Sequence, residues 1–335
     1  MNNKVTYLIG AGASYNAHPI AKTANDFSNY SKNLHQFVID NKEVISRHIG
    51  ATHLSEHIFK TAFDITNMCI KFGTPDTYAK WLFEHSKIDE YKKLKKIISS
   101  YFRYKEFNPF NVENLVKERE YRVLPFLTSI MNDGKLPSNI KVLSWNYDNQ
   151  FEIAASNRIL EDVLLDSKSI KYIKGFSCWP NLENSSQIDF STETPFLLHL
   201  NGLSGFNYSK VNLAEGDIPP FLDLFSESEP LLSYAWEDDQ VDMKTFTTNR
   251  LNNALRMIDG TDYLVIIGYS FPFFNRKIDK DILNTICKTV NKIYFQEPNL
   301  EVSEQDLINK FNLQISQDRI QMIRSRDQYH IPHEL

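Results

Sequence analysis

The chain has 335 residues, 42% of them hydrophobic and 24% charged, with a formal net charge of −5. That length allows one elaborated domain or two, and the composition is that of an ordinary globular protein. The negative balance argues against a broad nucleic-acid footprint, which needs a basic face, and no apolar run approaches the roughly 20 residues that span a bilayer.

Cys69, Cys178 and Cys287 lie far apart. They form neither a zinc module nor a disulfide framework, which fits a reducing compartment. No basic segment followed by an apolar one opens the sequence, so no signal peptide is expected and the chain is read as cytoplasmic.

The first element is a buried strand over about 4–10, where Val5, Tyr7, Leu8 and Ile9 are followed directly by Gly10, Ala11, Gly12, Ala13 and Ser14. From about 20 to 132 the pattern is mostly helical, with breaks near Gly73-Thr74-Pro75 and Asn108-Pro109. The basic run Tyr91-Lys92-Lys93-Leu94-Lys95-Lys96 inside it reads as a solvated helix face.

A second strand runs from Ile140 to Trp145, and a helix follows Asn146. Short strands are expected near Lys171–Ile173 and from Phe196 to Leu200, and 203–240 reads as a long loop. A helix over Lys244–Ile258 precedes the most apolar strand, 262–268. Beyond it come a helix over 276–290, a strand over 292–296, a helix over 301–311 and strands near Leu313–Ile315 and Arg319–Ile323.

Apolar strands alternating with helices predict an α/β fold: a Rossmann-like parallel sheet with helices on both faces. The block after the first strand is too long for a simple crossover. The chain is therefore read as a single domain, 1–335, with its core in 1–20 and 134–335 and a helical subdomain inserted over 21–133.

In open parallel sheets ligands bind outside the carboxyl ends of the strands. Five strands here end in small or polar residues: Gly10 to Ser14; Asn146-Tyr147-Asp148; His199-Leu200-Asn201-Gly202; Gly268-Tyr269-Ser270; and Gln296-Glu297. Each alone has a structural explanation as a tight turn, a helix cap or a core histidine. Together they are harder to explain that way. Two further features are weaker. "SFPFFNRKID", 270–279, reads as a turn, aromatic core contacts and a helix start capped by Asn275, with Arg276 as an alternative phosphate contact. His330 and His333 in the tail read as solvated.

The set resembles the sirtuin (SIR2) family, and more closely its bacterial SIR2-like branch, which degrades NAD+ in anti-phage defence. The first loop resembles the family's Gly-Ala-Gly-small-Ser motif, and Asn146-Tyr147-Asp148 its Asn-x-Asp motif. "HLNG" stands at its His-Gly position and "GYS" at its Gly-x-Ser loop. The resemblance implies that Gly10, Ala11, Gly12 and Ser14 hold the NAD+ diphosphate. It puts Asn146 near the nicotinamide ribose, positioning a water, with Asp148 contacting the carboxamide or bracing the loop. Gly268 and Ser270 would line the adenosine side, and Gln296 or Glu297 would meet the adenine ribose.

The implied activity is an NAD+ hydrolase that releases nicotinamide and ADP-ribose, linear or cyclic, as a regulated NAD-depleting defence effector. Control by self-association or by a partner protein is expected with it; nucleic acid and membrane are not expected as partners. Such cleavage builds positive charge on the ribose while a neutral nicotinamide leaves, so the site must hold the ribose and orient polar groups rather than supply a strong acid.

The chain departs from the family in two places. It lacks the deacylases' four-cysteine zinc module, so no zinc is expected and a deacylase is disfavoured. Asn201, beside Gly202, stands where the family has its histidine, and His199 lies two residues earlier. Residues two apart on a strand share a face. Either His199 is the proton acceptor from this neighbouring place, or it is structural and the chain is a weakly active subunit that binds NAD+ or ADP-ribose.

Overall fold

A computed structural model describes residues 3–17, 24–43, 52–107, 120–156, 173–180, 190, 193–206, 230–239, 250–297, 303–311, 313 and 315–335. The chain is an α/β protein that divides into two compact units. One contains 1–17, 119–202 and 233–335, and the other 18–118 and 203–232. Residues 119–133, assigned to the helical insert from the sequence, belong to the first unit.

The first unit is built on a seven-stranded sheet. Its strands are β1 (Val5–Ile9), β2 (Ile140–Ser144), β3 (Cys178–Trp179), β4 (Leu197–His199), β7 (Tyr263–Ile267), β8 (Lys292–Gln296) and β9 (Ile320–Ile323). They lie in the order β3-β4-β2-β1-β7-β8-β9, and every pairing is parallel. The register is regular: Ile9 stands opposite Ser144 of β2 and Ile267 of β7, and Ser144 opposite His199 of β4.

Both faces of the sheet are apolar, as parallel strands require. With a side-chain period of two, Leu8, Leu143, Leu198, Leu264, Ile266, Ile293 and Phe295 enter one core. There they meet Ala254, Met257 and Ile258 of the helix Arg250–Ile258, and Ile278, Ile282, Leu283 and Ile286 of the helix Arg276–Ile286. Val5, Tyr7, Ile9, Val142, Val265 and Tyr294 enter the other core. Its cover comes from Phe126 and Leu127 of the helix Val123–Ile130 and from Phe151 of the helix Gln150–Ala155. Burial of each large side chain contributes roughly 1.5–3 kcal/mol.

The second unit holds the helices Ala24–Asp40, Thr52–Lys71, Pro75–Glu84 and Ile88–Phe107, with a two-stranded sheet of β5 (Gly202–Phe206) and β6 (Pro230–Leu232). Gly73 at φ +84° ends one helix. Thr74 Oγ1 then accepts the Thr77 N–H at 3.0 Å, and Pro75 opens the next helix. The expected break at this point is therefore built from a glycine, a cap and a proline in succession.

Several expectations are corrected. The segment 203–240 is not one long loop: its described residues include β5, β6 and a 3₁₀ turn over Ala235–Asp239. Leu313 and Ile315 are not in a strand, since a 3₁₀ turn over Gln317–Arg319 leads straight into β9. Ile173 is not in a strand either, and Lys171 lies outside the described residues, as does 244–249 of the expected 244–258 helix. The basic run is not a freely solvated face: Tyr91 and Leu94 are fully buried, and Lys95 is buried with its ammonium 5.5 Å from the Tyr91 ring. No helix among the described residues is long and apolar enough to cross a membrane.

Candidate active site

Strand order reverses at β1, with β2 on one side and β7 on the other. A crevice for ligand is expected outside the carboxyl ends at such a point. There the loop after β1 meets the loop after β7 backbone to backbone, with the Tyr269 ring also against Gly10. Gly12 N–H donates to Gly268 O at 2.8 Å, Gly10 N–H to Ile267 O at 2.9 Å, and Ala13 N–H to Gly10 O at 2.9 Å. A Cβ on Gly10 would lie 2.5 Å from Tyr269 Cα, and one on Gly12 2.9 Å from Gly268 Cα. Gly268 sits at φ +57°, where a Cβ would land on the Ala13 nitrogen and the Gly12 carbonyl carbon. The glycines are thus required by chain packed on chain.

The loop is also held from behind. Ala13 O accepts Arg122 Nη2–H at 2.9 Å and the Tyr329 hydroxyl at 2.6 Å. Buried Glu120 pairs with Arg122 at 2.6 Å and accepts Asn16 Nδ2–H at 3.0 Å. Arg122 is held above its usual value: burial opposes its charge, and Glu120, Tyr329 and Tyr121 together more than offset burial.

At the end of β2 the contacts run through side chains. Ser144 Oγ accepts the Asn146 N–H at 3.1 Å, and Asn146 Nδ2–H donates to Ser14 Oγ at 2.9 Å. His199 Nδ1–H donates to the Asn146 main-chain oxygen at 3.3 Å, and Nε2–H to Glu152 Oε1 at 2.7 Å. Asn201 Nδ2–H donates to Trp145 O at 3.3 Å. Asn146 therefore ties together the ends of β1, β2 and β4. Three oxygens of this group, Asn146 Oδ1, Asn201 Oδ1 and Glu152 Oε2, are buried without a hydrogen-bond partner. An unsatisfied buried acceptor costs about 1–3 kcal/mol, so three on neighbouring residues call for a functional explanation. Such oxygens can align a water, a hydroxyl or a carboxamide NH₂.

His199 is 1% exposed. Burial disfavours its imidazolium, but Glu152, the Asn146 carbonyl and Asp148 together raise its pKa above the ordinary 6.5. Both ring nitrogens face oxygens of the protein, so neither is turned toward an outside water. The ring holds Asn146 in position, which fits the structural alternative better than the proton-accepting one.

The other expected site residues fall as follows. Asp148 Oδ1 accepts the Gln150 N–H at 3.3 Å, a brace for the next helix. Ala11 and Ser270 are exposed and Ser14 is buried; Gly202 is buried at φ +65°. Gln296 is 2% exposed. Its amide donates to Ser325 O at 3.0 Å and Gln328 O at 2.7 Å and accepts the His330 N–H at 2.8 Å, so it holds the C-terminal segment rather than facing a ribose. Glu297 follows it, with its N–H on Ile323 O at 3.2 Å. Asn275 makes no side-chain cap; its amide donates to Tyr269 Oη at 3.1 Å. Phe271 is buried as expected, but Phe273 is 72% exposed, beneath the Arg276 guanidinium at 5.2 Å. His333 is exposed, whereas His330 is half-buried against Tyr294.

No model of a known protein family matches the chain, and no curated protein does.

Glu152, Glu120, Arg122, Tyr329 and Asp279 went unnoticed in the sequence. Asp279 is fully buried, accepting Tyr269 Oη–H at 2.8 Å and Trp145 Nε1–H at 3.1 Å, and so joins the ends of β2 and β7. A carboxylate on the buried side of the helix after Asn146 was the available signal for Glu152. A cavity of about 170 Å³ lies between Phe126, Ser129, Ile323, Ser325, Tyr329 and His330. None of the expected site residues lines it, although His330 there also buries an unpartnered atom, Nε2.

Proposed function

We propose that the chain is an NAD+ hydrolase of the SIR2-like kind. It cleaves the nicotinamide–ribose bond to give nicotinamide and ADP-ribose, linear or cyclic. Its biological use is depletion of NAD+ in anti-phage defence, under the control of self-association or a partner protein. One observation carries the reading: Asn146, fixed by Ser14 and His199, keeps a buried and unsatisfied Oδ1 at the carboxyl ends of a parallel sheet.

NAD+ fits these residues on the nicotinamide side, where amide oxygens await donors. Asn146 Oδ1 accepts a hydrogen bond from the attacking water or a ribose hydroxyl and so orients it against the anomeric carbon. Ser14 and Ser144 hold the Asn146 side chain and main chain respectively, fixing that direction before substrate arrives. The departing nicotinamide is neutral, and the positive charge that grows on the ribose is met by oriented oxygens. The diphosphate side fits less closely, because the N–H groups of Gly10, Gly12 and Ala13 donate within the protein.

The test is nicotinamide release from NAD+ by the purified protein beside Asn146→Ala. Turnover is expected to fall at least about a hundred-fold, as for loss of an oriented polar group in other sites. Undiminished release from Asn146→Ala would remove this assignment. A second reading, a subunit that binds NAD+ or ADP-ribose without cleaving it, is favoured by the engagement of both His199 nitrogens. Saturable binding of NAD+ without nicotinamide release would select it.

A further inference from the structure

The expected proton acceptor is locked inside the protein, and what locks it is a residue with no assigned part. Glu152 sits on the helix Gln150–Ala155, four residues beyond Asp148. Its side chain is 8% exposed and lies 2.7 Å from a His199 side chain that is 2% exposed. On the far side of the ring, Nδ1–H reaches the Asn146 main-chain oxygen at 3.3 Å. A chain of contacts thus runs from the Glu152 carboxylate through the ring to the backbone of the residue that presents the unsatisfied amide oxygen.

A carboxylate on one ring nitrogen fixes which nitrogens carry protons and the plane of the ring. Without it the buried ring would become neutral. With one proton to place on two nitrogens, it could leave the Asn146 carbonyl without a donor. The groups of opposite charge facing the ring are Glu152 on its helix and Asp148 on the turn before it. A buried pair of this kind contributes little to stability when compared with an apolar replacement, whereas its fixed geometry orients the ring.

We infer that Glu152 is a positioning residue of the site, which holds the His199 ring in the one orientation that fixes Asn146. The inference rests on the hydrolase reading only for its kinetic arm.

The experiment compares wild type with Glu152→Gln and Glu152→Asp. The first arm needs no substrate: the imidazole of His199 is followed by ¹⁵N-histidine NMR through a pH titration and assigned by its loss in His199→Gln. In wild type the doubly protonated ring is expected to persist above pH 6.5. In Glu152→Gln it is expected to deprotonate at lower pH, and Glu152→Asp should recover part of the difference. The second arm measures nicotinamide release. In Glu152→Gln, kcat is expected to fall roughly ten-fold or more with KM for NAD+ within about two-fold, the signature of lost orientation rather than lost binding.

A His199 titration that is the same in wild type and Glu152→Gln overturns the proposal, whatever NAD+ does. So does a shifted titration with unchanged kcat. If the titration shifts while wild-type protein releases no nicotinamide, the hydrolase reading fails and the coupling of Glu152 to His199 stands. If Glu152→Gln does not fold, Glu152→Asp carries both arms, with the same two overturning outcomes.

Discussion

Where the loops after β1 and β7 meet, backbone packs on backbone; where β2 and β4 end, side chain meets side chain. The first region meets its own needs. Its glycines let two turns approach closely, and the N–H groups of Gly10 and Gly12 find carbonyls across the gap. The second region does not, because Asn146, Asn201 and Glu152 each bury an oxygen that the protein leaves unsatisfied. A motif that packing explains in full says little about ligand, however suggestive its letters. A motif that packing leaves incomplete says more.

The largest expected effect separates the two regions. Gly268→Ala places a Cβ on the Ala13 nitrogen at φ +57°. Strain and clash together should cost roughly 3 kcal/mol, read as a lower urea midpoint. Asn146→Ala should behave oppositely, with turnover lost and stability reduced by only about 1 kcal/mol for its bond to Ser14. If Gly268→Ala kept full stability but lost NAD+ affinity, the glycine would be serving ligand and the comparison would fail.

A smaller effect probes the charge inside the second region. The His199 pKa is raised in the folded protein above its ordinary 6.5, so the ring is more readily protonated folded than unfolded. Its pairing with Glu152 therefore contributes in full below about pH 6.5 and is lost as pH rises through the higher folded value. Urea stability of wild type relative to His199→Gln should narrow between pH 6 and pH 9, by at most about 1.4 kcal/mol per pH unit. A gap constant with pH would mean that the ring carries no titrating charge there.

The contrast also explains what was legible in the sequence. Apolar runs such as Tyr263–Ile267 and Lys292–Gln296 declare themselves, because both faces of a parallel strand are buried. The strand ends could be found by the same logic, and with them Asn146, His199 and Asn201. What each residue touches could not. Gln296 reads as a strand-end polar group but is turned toward the C-terminal segment, a contact made 29 to 34 residues away in sequence. Glu152 and Arg122 read as ordinary charges on helical stretches, and only tertiary pairing makes them buried and specific. The strands β5 and β6 were missed because they are short and set among turn-forming residues.

The smallest expected effect concerns the helix that follows the loop after β7. Arg276 is exposed at the start of the helix Arg276–Ile286, its guanidinium 5.2 Å from the ring of Phe273. A phosphate held at the β1–β7 crossing would have few main-chain donors, since the N–H groups of Gly10, Gly12 and Ala13 are engaged. A cation able to reach it would then matter more than usual. Yet nothing fixes Arg276 toward the crossing, and an exposed cation–π contact of this kind is worth about 0.5–1 kcal/mol at most. Arg276→Ala should therefore change stability by no more than about 1 kcal/mol and leave KM for NAD+ within about two-fold. A ten-fold rise in KM that weakened as salt was added would place a phosphate against Arg276. The first region would then hold ligand through a side chain at its edge, and the contrast with Asn146 would be one of depth rather than of kind.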